Sequence, residues 1–96
     1  MKFCFHPRAD EEFDDAVRYY EERQRGLGIE FAEEVYGAVM RACEYPDAWP
    51  LMSCTTRRCL VNRFPYGVIF QIKSGQLRVI AVAHLQRRPN YWCVRN

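Results

Sequence analysis

Residues 67–84 hold two β-rich runs, GVIFQIK at 67–73 and LRVIAVAH at 77–84, with Ser74-Gly75 between them. That dipeptide marks a tight hairpin, so the chain folds back and pairs with itself antiparallel. A further run, RRCLVNRF at 57–64, turns through Pro65-Tyr66 into the first of these. The result is a three-stranded antiparallel meander, and such a sheet needs a partner layer to bury at least one face.

The first half supplies that layer. KFCFH at 2–6 suits a short first strand, and Pro7 ends it while fitting the first turn of a helix. Asp10, Glu11 and Glu12 then lie where negative charge complements a helix dipole. Phe13, Ala16, Val17 and Tyr20 form one apolar stripe, with Arg18–Glu22 and Glu21–Arg25 as opposite-charge pairs four residues apart. The run DEEFDD therefore reads as a solvated helix face. Gly26 and Gly28 stop this helix.

IEFAEEVYGAVMRACEY begins a second helix, whose expected stripe is Ala32, Val35, Tyr36, Val39, Ala42 and Cys43. Pro46 ends it, and PDAWPLMSCTT at 46–56 reads as a loop. The short link between the helices makes an antiparallel hairpin. The expected class is α+β: a helical hairpin packed on one face of a small, mainly antiparallel sheet, in the order β-α-α-β-β-β. If strand 1 runs up and the helices run down and up, strands 2, 3 and 4 run down, up and down. His84, Arg87 and Arg88 then share a rim with Arg63 and Tyr66, and His6 lies at the opposite end.

Ninety-six residues, about half apolar, are expected to form a single domain over 1–96 with a core of its own. No apolar run approaches the roughly 20 residues of a membrane span, and the N-terminal run lacks a signal-peptide stretch. A cytoplasmic protein with no membrane partner is expected. Cys4, Cys43, Cys54, Cys59 and Cys93 contain no C-x-x-C pair. Reduced thiols are favoured over a zinc site built from Cys54, Cys59, His84 and Cys93, and no metal or cofactor is expected.

Charge is divided unevenly. Residues 1–50 hold all twelve carboxylates against six Lys or Arg, whereas residues 51–96 hold eight Lys or Arg and no carboxylate. Either the second half meets an acidic partner, or the two halves neutralise one another within the fold. The basic and aromatic candidates for partner binding are Arg57, Arg58, Arg63, Arg78, Arg87, Arg88, Tyr91 and Trp92. Guanidinium groups hold phosphate or carboxylate through paired hydrogen bonds, and aromatic rings stack on bases or on guanidinium planes. Arg58, Arg63, His84, Arg87 and Tyr91 are the set that could support RNA cleavage, which needs charge stabilisation and proton transfer. Simpler roles compete with these: His84 as a rim residue, Trp92 as a core cover, and Arg78 as the solvent side of a strand.

HPRADEEFDDAVRYYEE entering a helical hairpin, RRCLVNRFPYGVIFQI, and VIAVAHLQRRPNYW together resemble the RelE/ParE superfamily of bacterial type II toxins. FPYGVIF and the AVAH…RRP.YW ending resemble the ParE-type, plasmid-stabilisation branch most. The resemblance implies a growth-inhibiting toxin neutralised by a small cognate antitoxin, expected to bind through an acidic C-terminal segment. The ParE-type branch is associated with poisoning of DNA gyrase. The ribonuclease branch cleaves mRNA on the ribosome with basic residues on strands 2 and 3, an arginine after strand 4 and often a tyrosine beyond. Here Arg58 and Tyr91 match that set, but Leu60, Gly67 and Leu85 stand at the other basic positions. A non-enzymatic toxin is therefore favoured over an endoribonuclease or a non-toxic, antitoxin-binding remnant.

Overall fold

A computed structural model describes residues 1–95. Its elements are β1 (Phe3–Phe5), α1 (Pro7–Arg23), α2 (Leu27–Glu44), β2 (Arg57–Leu60), β3 (Tyr66–Lys73) and β4 (Gln76–His84). They form a four-stranded mixed sheet in the order β1-β4-β3-β2, with the helical hairpin packed on one face.

Local chemistry explains the helix ends. His6 caps α1, its Nδ1 accepting the Arg8 N–H at 3.0 Å, and Pro7 takes the first helical position. Glu21 does not pair with Arg25. Its carboxylate accepts the N–H groups of Gly26 and Gly28 at 3.0–3.1 Å, which satisfies donors at the start of α2. Arg18 pairs with Asp15 at 3.3 Å instead of Glu22. Gly28 is required by contact, because a Cβ there would lie 2.7 Å from the Val17 carbonyl oxygen.

The α2 stripe is turned from its expected position. Phe31 and Ala38 are fully buried beside Val35, Val39 and Ala42, while Tyr36 sits at the margin, 45% exposed, with its ring 5.4 Å from that of Phe13. Phe31 sets the rotation by packing at 5.0–5.1 Å against the rings of Tyr20, Phe64 and Tyr66.

The β2–β3 and β3–β4 pairings are antiparallel, but β1 runs parallel to β4. The path of α1 overturns the expected alternation of directions, because this helix does not return alongside β1. Glu12 bonds the Val82 N–H of β4, and eight residues later Tyr20 reaches Phe64 and Tyr66, so the helix crosses the sheet obliquely. His6 therefore follows a strand pointing towards the same end as His84, not the opposite end. β2 stops at Leu60, not residue 64, because Val61–Pro65 forms the turn, with Arg63 in the left-handed region at φ 71°.

Both sheet faces carry apolar residues. Phe13, Phe31, Val35, Val39, Val68, Phe70, Leu77, Val79 and Val82 fill the helical side. Ile69, Ile80, Ala81, Ala83 and Trp92 form a smaller cluster on the other side, with Met52 and Tyr91 packed at its margin. A bulge creates this second face. Ile69 pairs with Ala81 and Phe70 with Val79, so Ile80 is the extra residue and lies with Ala81 on the same side.

Candidate partner-binding surface

The end of β4 and the tail after it build the site. Tyr66 and His84 pair across β3 and β4, with their rings at 5.1 Å in an edge-on arrangement. His84 Nδ1 accepts the Gln86 N–H at 3.1 Å, and its carbonyl accepts the Arg87 N–H at 3.0 Å, which turns the chain back. Asn90, in the left-handed region at φ 65°, directs Tyr91 and Trp92 towards the sheet.

Glu12 organises the returning tail. Tyr91 donates its hydroxyl to Glu12 Oε2 at 2.6 Å, and Arg87 donates to the same oxygen at 3.0 Å. Arg95 donates to both Glu12 oxygens at 2.8 and 3.0 Å, and also to the Ile80 carbonyl. The Val82 N–H completes the set at 3.1 Å. The guanidinium of Arg87 lies 3.7 Å from the Tyr91 ring centre, and that of Arg95 lies at 5.1 Å. The Glu12 and Arg95 side chains are only 13% and 8% exposed, so this is a desolvated ion pair and not a solvated helix face.

Glu12 and Arg95 are the residues that sequence reasoning missed. The signal for Glu12 was its position: Ala9, Glu12 or Phe13, and Ala16 follow the helical spacing of the buried stripe. Arg95 carried no comparable mark.

The same network restricts chemistry. Burial, followed by the hydrogen bond and charge of Glu12, pushes the Tyr91 phenol well above its usual range, so it is held protonated. A group whose folded pKa is raised contributes stability below its unfolded value and loses that contribution as pH rises. Stability should therefore fall from about pH 10 upward, the ordinary phenol value. Denaturant titrations of the unchanged protein and of Tyr91→Phe check this: the phenylalanine variant should lose less between pH 9 and pH 11. Equal slopes would contradict a buried Tyr91–Glu12 bond.

Four of the five residues considered for RNA cleavage meet in one place. Arg58, His84, Arg87 and Tyr91 line a cleft of about 110 Å³ with Met52, Ile69, Leu85 and Trp92. Arg63 does not join them; it bonds Glu30 at 2.7 Å and lies 3.6 Å from Glu34, tying the β2–β3 turn to α2. The Arg58 stem passes over Gly67, where a Cβ would stand 2.9 Å from Arg58 Cδ. Arg57 donates to the Trp49 carbonyl at 2.7 Å, outside the cleft. Arg78 is half-buried on β4, and Arg88 is exposed. Trp92 is part of the second apolar cluster, not a free stacking platform.

Both readings of the charge asymmetry have a place in the structure. Arg63, Arg87 and Arg95 are neutralised by Glu30, Glu34 and Glu12. Arg57, Arg58, Lys73, Arg78 and Arg88 form no ion pair among the described residues. In the cleft, Arg58 accompanies Leu85, which is 46% accessible; Leu60, two residues along β2 from Arg58, and Arg88, between the lining residues Arg87 and Pro89, are exposed as well. The surface is basic and apolar together. No helix among the described residues is long and apolar enough to cross a membrane.

No protein-family model matches the chain, and no curated protein matches it. A solved chain described as "Chromosomal ParDE TA system from P. aeruginosa" has a similar structure. The TM-score is 0.75 at 13% identity, covering 90% of this chain and 97% of the other. At that identity the likeness shows a shared fold.

Proposed function

We propose that this chain, as a single toxin domain over residues 1–96, is the ParE-like toxin component of a type II toxin–antitoxin pair acting in the cytoplasm. The observation that carries the reading is the near-complete overlap of its fold with a chain from a ParDE toxin–antitoxin system. The sequence resemblance to the same branch supports it independently. In this reading a cognate antitoxin lays an acidic, amphipathic segment across the face opposite the helices. Its apolar side meets Leu60, Leu85 and Met52, and its carboxylates meet Arg58 and Arg88. DNA gyrase is the cellular target to test first.

A second reading, ribosome-dependent cleavage of mRNA, is favoured by the meeting of Arg58, His84, Arg87 and Tyr91 in one cleft. The Glu12 contacts weigh against it, because the Tyr91 hydroxyl and Arg87 Nη1 are both bonded to that carboxylate.

Induction in a bacterial host tests the toxin reading. Growth should stop, and coexpression of a cognate antitoxin should restore it; continued growth contradicts toxicity. Calorimetry on the purified pair tests the docking face. Affinity should fall as salt rises from 50 to 500 mM, and Arg58→Gln should flatten that dependence. An unchanged slope in Arg58→Gln would move the antitoxin to another face.

A further inference from the structure

Beyond the toxin reading, and independent of it, the β1–α1 junction holds positive charge in excess of its counter-charge. His6, Arg8, Arg87, Tyr91, Val94 and Arg95 line a cleft of about 320 Å³ there. Glu12 accepts from Val82, Arg87, Tyr91 and Arg95, so both of its oxygens are engaged. Arg8 forms no ion pair among the described residues, and neither does Arg78. Burial and the nearby charges of Arg78, Arg95 and Arg8 hold the His6 imidazole below its ordinary pKa, with Glu12 acting weakly in the other direction. Glu11 adds a second carboxylate charge near Arg95. Arg8, Arg87 and Arg95 line the cleft and the charge of Arg78 reaches His6, so four guanidinium groups stand against the carboxylates of Glu11 and Glu12, an excess of about two charges.

We propose that this cleft binds a terminal phosphate group, the dianion of a phosphate monoester. Arg8 is its principal donor, and the second Nη of Arg87 and Nε2 of His6 complete the set. Each is free for the role: Arg87 uses Nη1 for Glu12, and His6 uses Nδ1 for the Arg8 N–H. A dianion matches the charge excess, and guanidinium geometry suits phosphate oxygens. The cleft is partly open to solvent and in the size range of small-ligand sites, so a nucleotide attached to the phosphate can extend outward.

The chain has two histidines, and His84 does not line this cleft, so it serves as an internal reference. Inorganic phosphate, titrated against chloride at matched ionic strength, should shift the His6 ring resonances saturably and leave those of His84 nearly still. Bound phosphate adds negative charge, so the His6 midpoint should rise. A 5′-phosphorylated dinucleotide should bind at least tenfold tighter than the same dinucleotide without its terminal phosphate. Arg8→Gln should weaken phosphate binding about tenfold through loss of a charge-assisted bond. Its thermal midpoint should not change, because Arg8 is exposed and has no side-chain partner among the described residues. Parallel drift of both histidines with ionic strength, or full binding by Arg8→Gln, overturns the site. Equal binding of the two dinucleotides overturns its assignment to a terminal phosphate.

Discussion

Glu12→Gln should lower the thermal midpoint by about 12–24 °C. The carboxylate accepts bonds from Arg87, Tyr91, Arg95 and the Val82 N–H, and neither Glu12 nor Arg95 has much access to water. Glutamine keeps the shape but removes the charge and turns an amide N–H₂ towards groups that are themselves donors. Breaking one side of a buried pair costs about 3 kcal/mol, because the partner charge remains desolvated. A domain of this size shifts by roughly 4–8 °C for each kcal/mol. Differential scanning calorimetry of Glu12→Gln beside Glu11→Gln isolates the effect, since Glu11 is exposed and should stay within about 0.5 kcal/mol of the parent. The tail should also loosen, and Trp92 emission should shift to longer wavelength before global unfolding. Equal midpoints for the two variants would mean that Glu12 does not anchor the tail.

Phe31→Ala should remove about 3–5 kcal/mol of stability, a large fraction of what a domain of this length has. Phe31 is fully buried and touches the rings of Phe13, Tyr20, Phe64 and Tyr66. Those partners come from α1, from the β2–β3 turn and from the start of β3. One truncation therefore empties the place where the hairpin grips the sheet. Collapse around the cavity is limited, because Gly28 already holds the helices at closest approach. Urea unfolding checks this, with Met40→Ala as the comparison on the exposed side of the same helix. The Met40 variant should lose clearly less. A loss below about 1 kcal/mol for Phe31→Ala would contradict its central position.

The element order was legible because each element carried its own signal. Pro7 and Gly26 bounded the helices, although Gly28 lies inside the first turn of α2, and Ser74-Gly75, with both residues at positive φ, made the β3–β4 hairpin. The direction of β1 was not legible, because it depends on the oblique path of α1. The bulge at Ile80 was hidden too, since a continuous apolar run in β4 does not show which residue repeats a face. The site was half legible. Basic and aromatic residues near the chain end could be singled out by type, but pairing between Glu12 and Arg95 spans 83 positions. Nothing local distinguishes an arginine bound for a buried carboxylate from one facing solvent. The same ignorance hid the bonds that Arg87 Nη1 and the Tyr91 hydroxyl make to Glu12.

Gyrase activity in the presence of the purified protein is the most direct measurement of the central claim. The protein should block ATP-dependent supercoiling of relaxed plasmid in proportion to its concentration, and addition of the cognate antitoxin should restore it. In a translating extract, the same preparation should leave mRNA intact. Undiminished supercoiling together with ribosome-dependent mRNA cleavage that Tyr91→Phe abolishes would contradict the account and assign the cleft to catalysis.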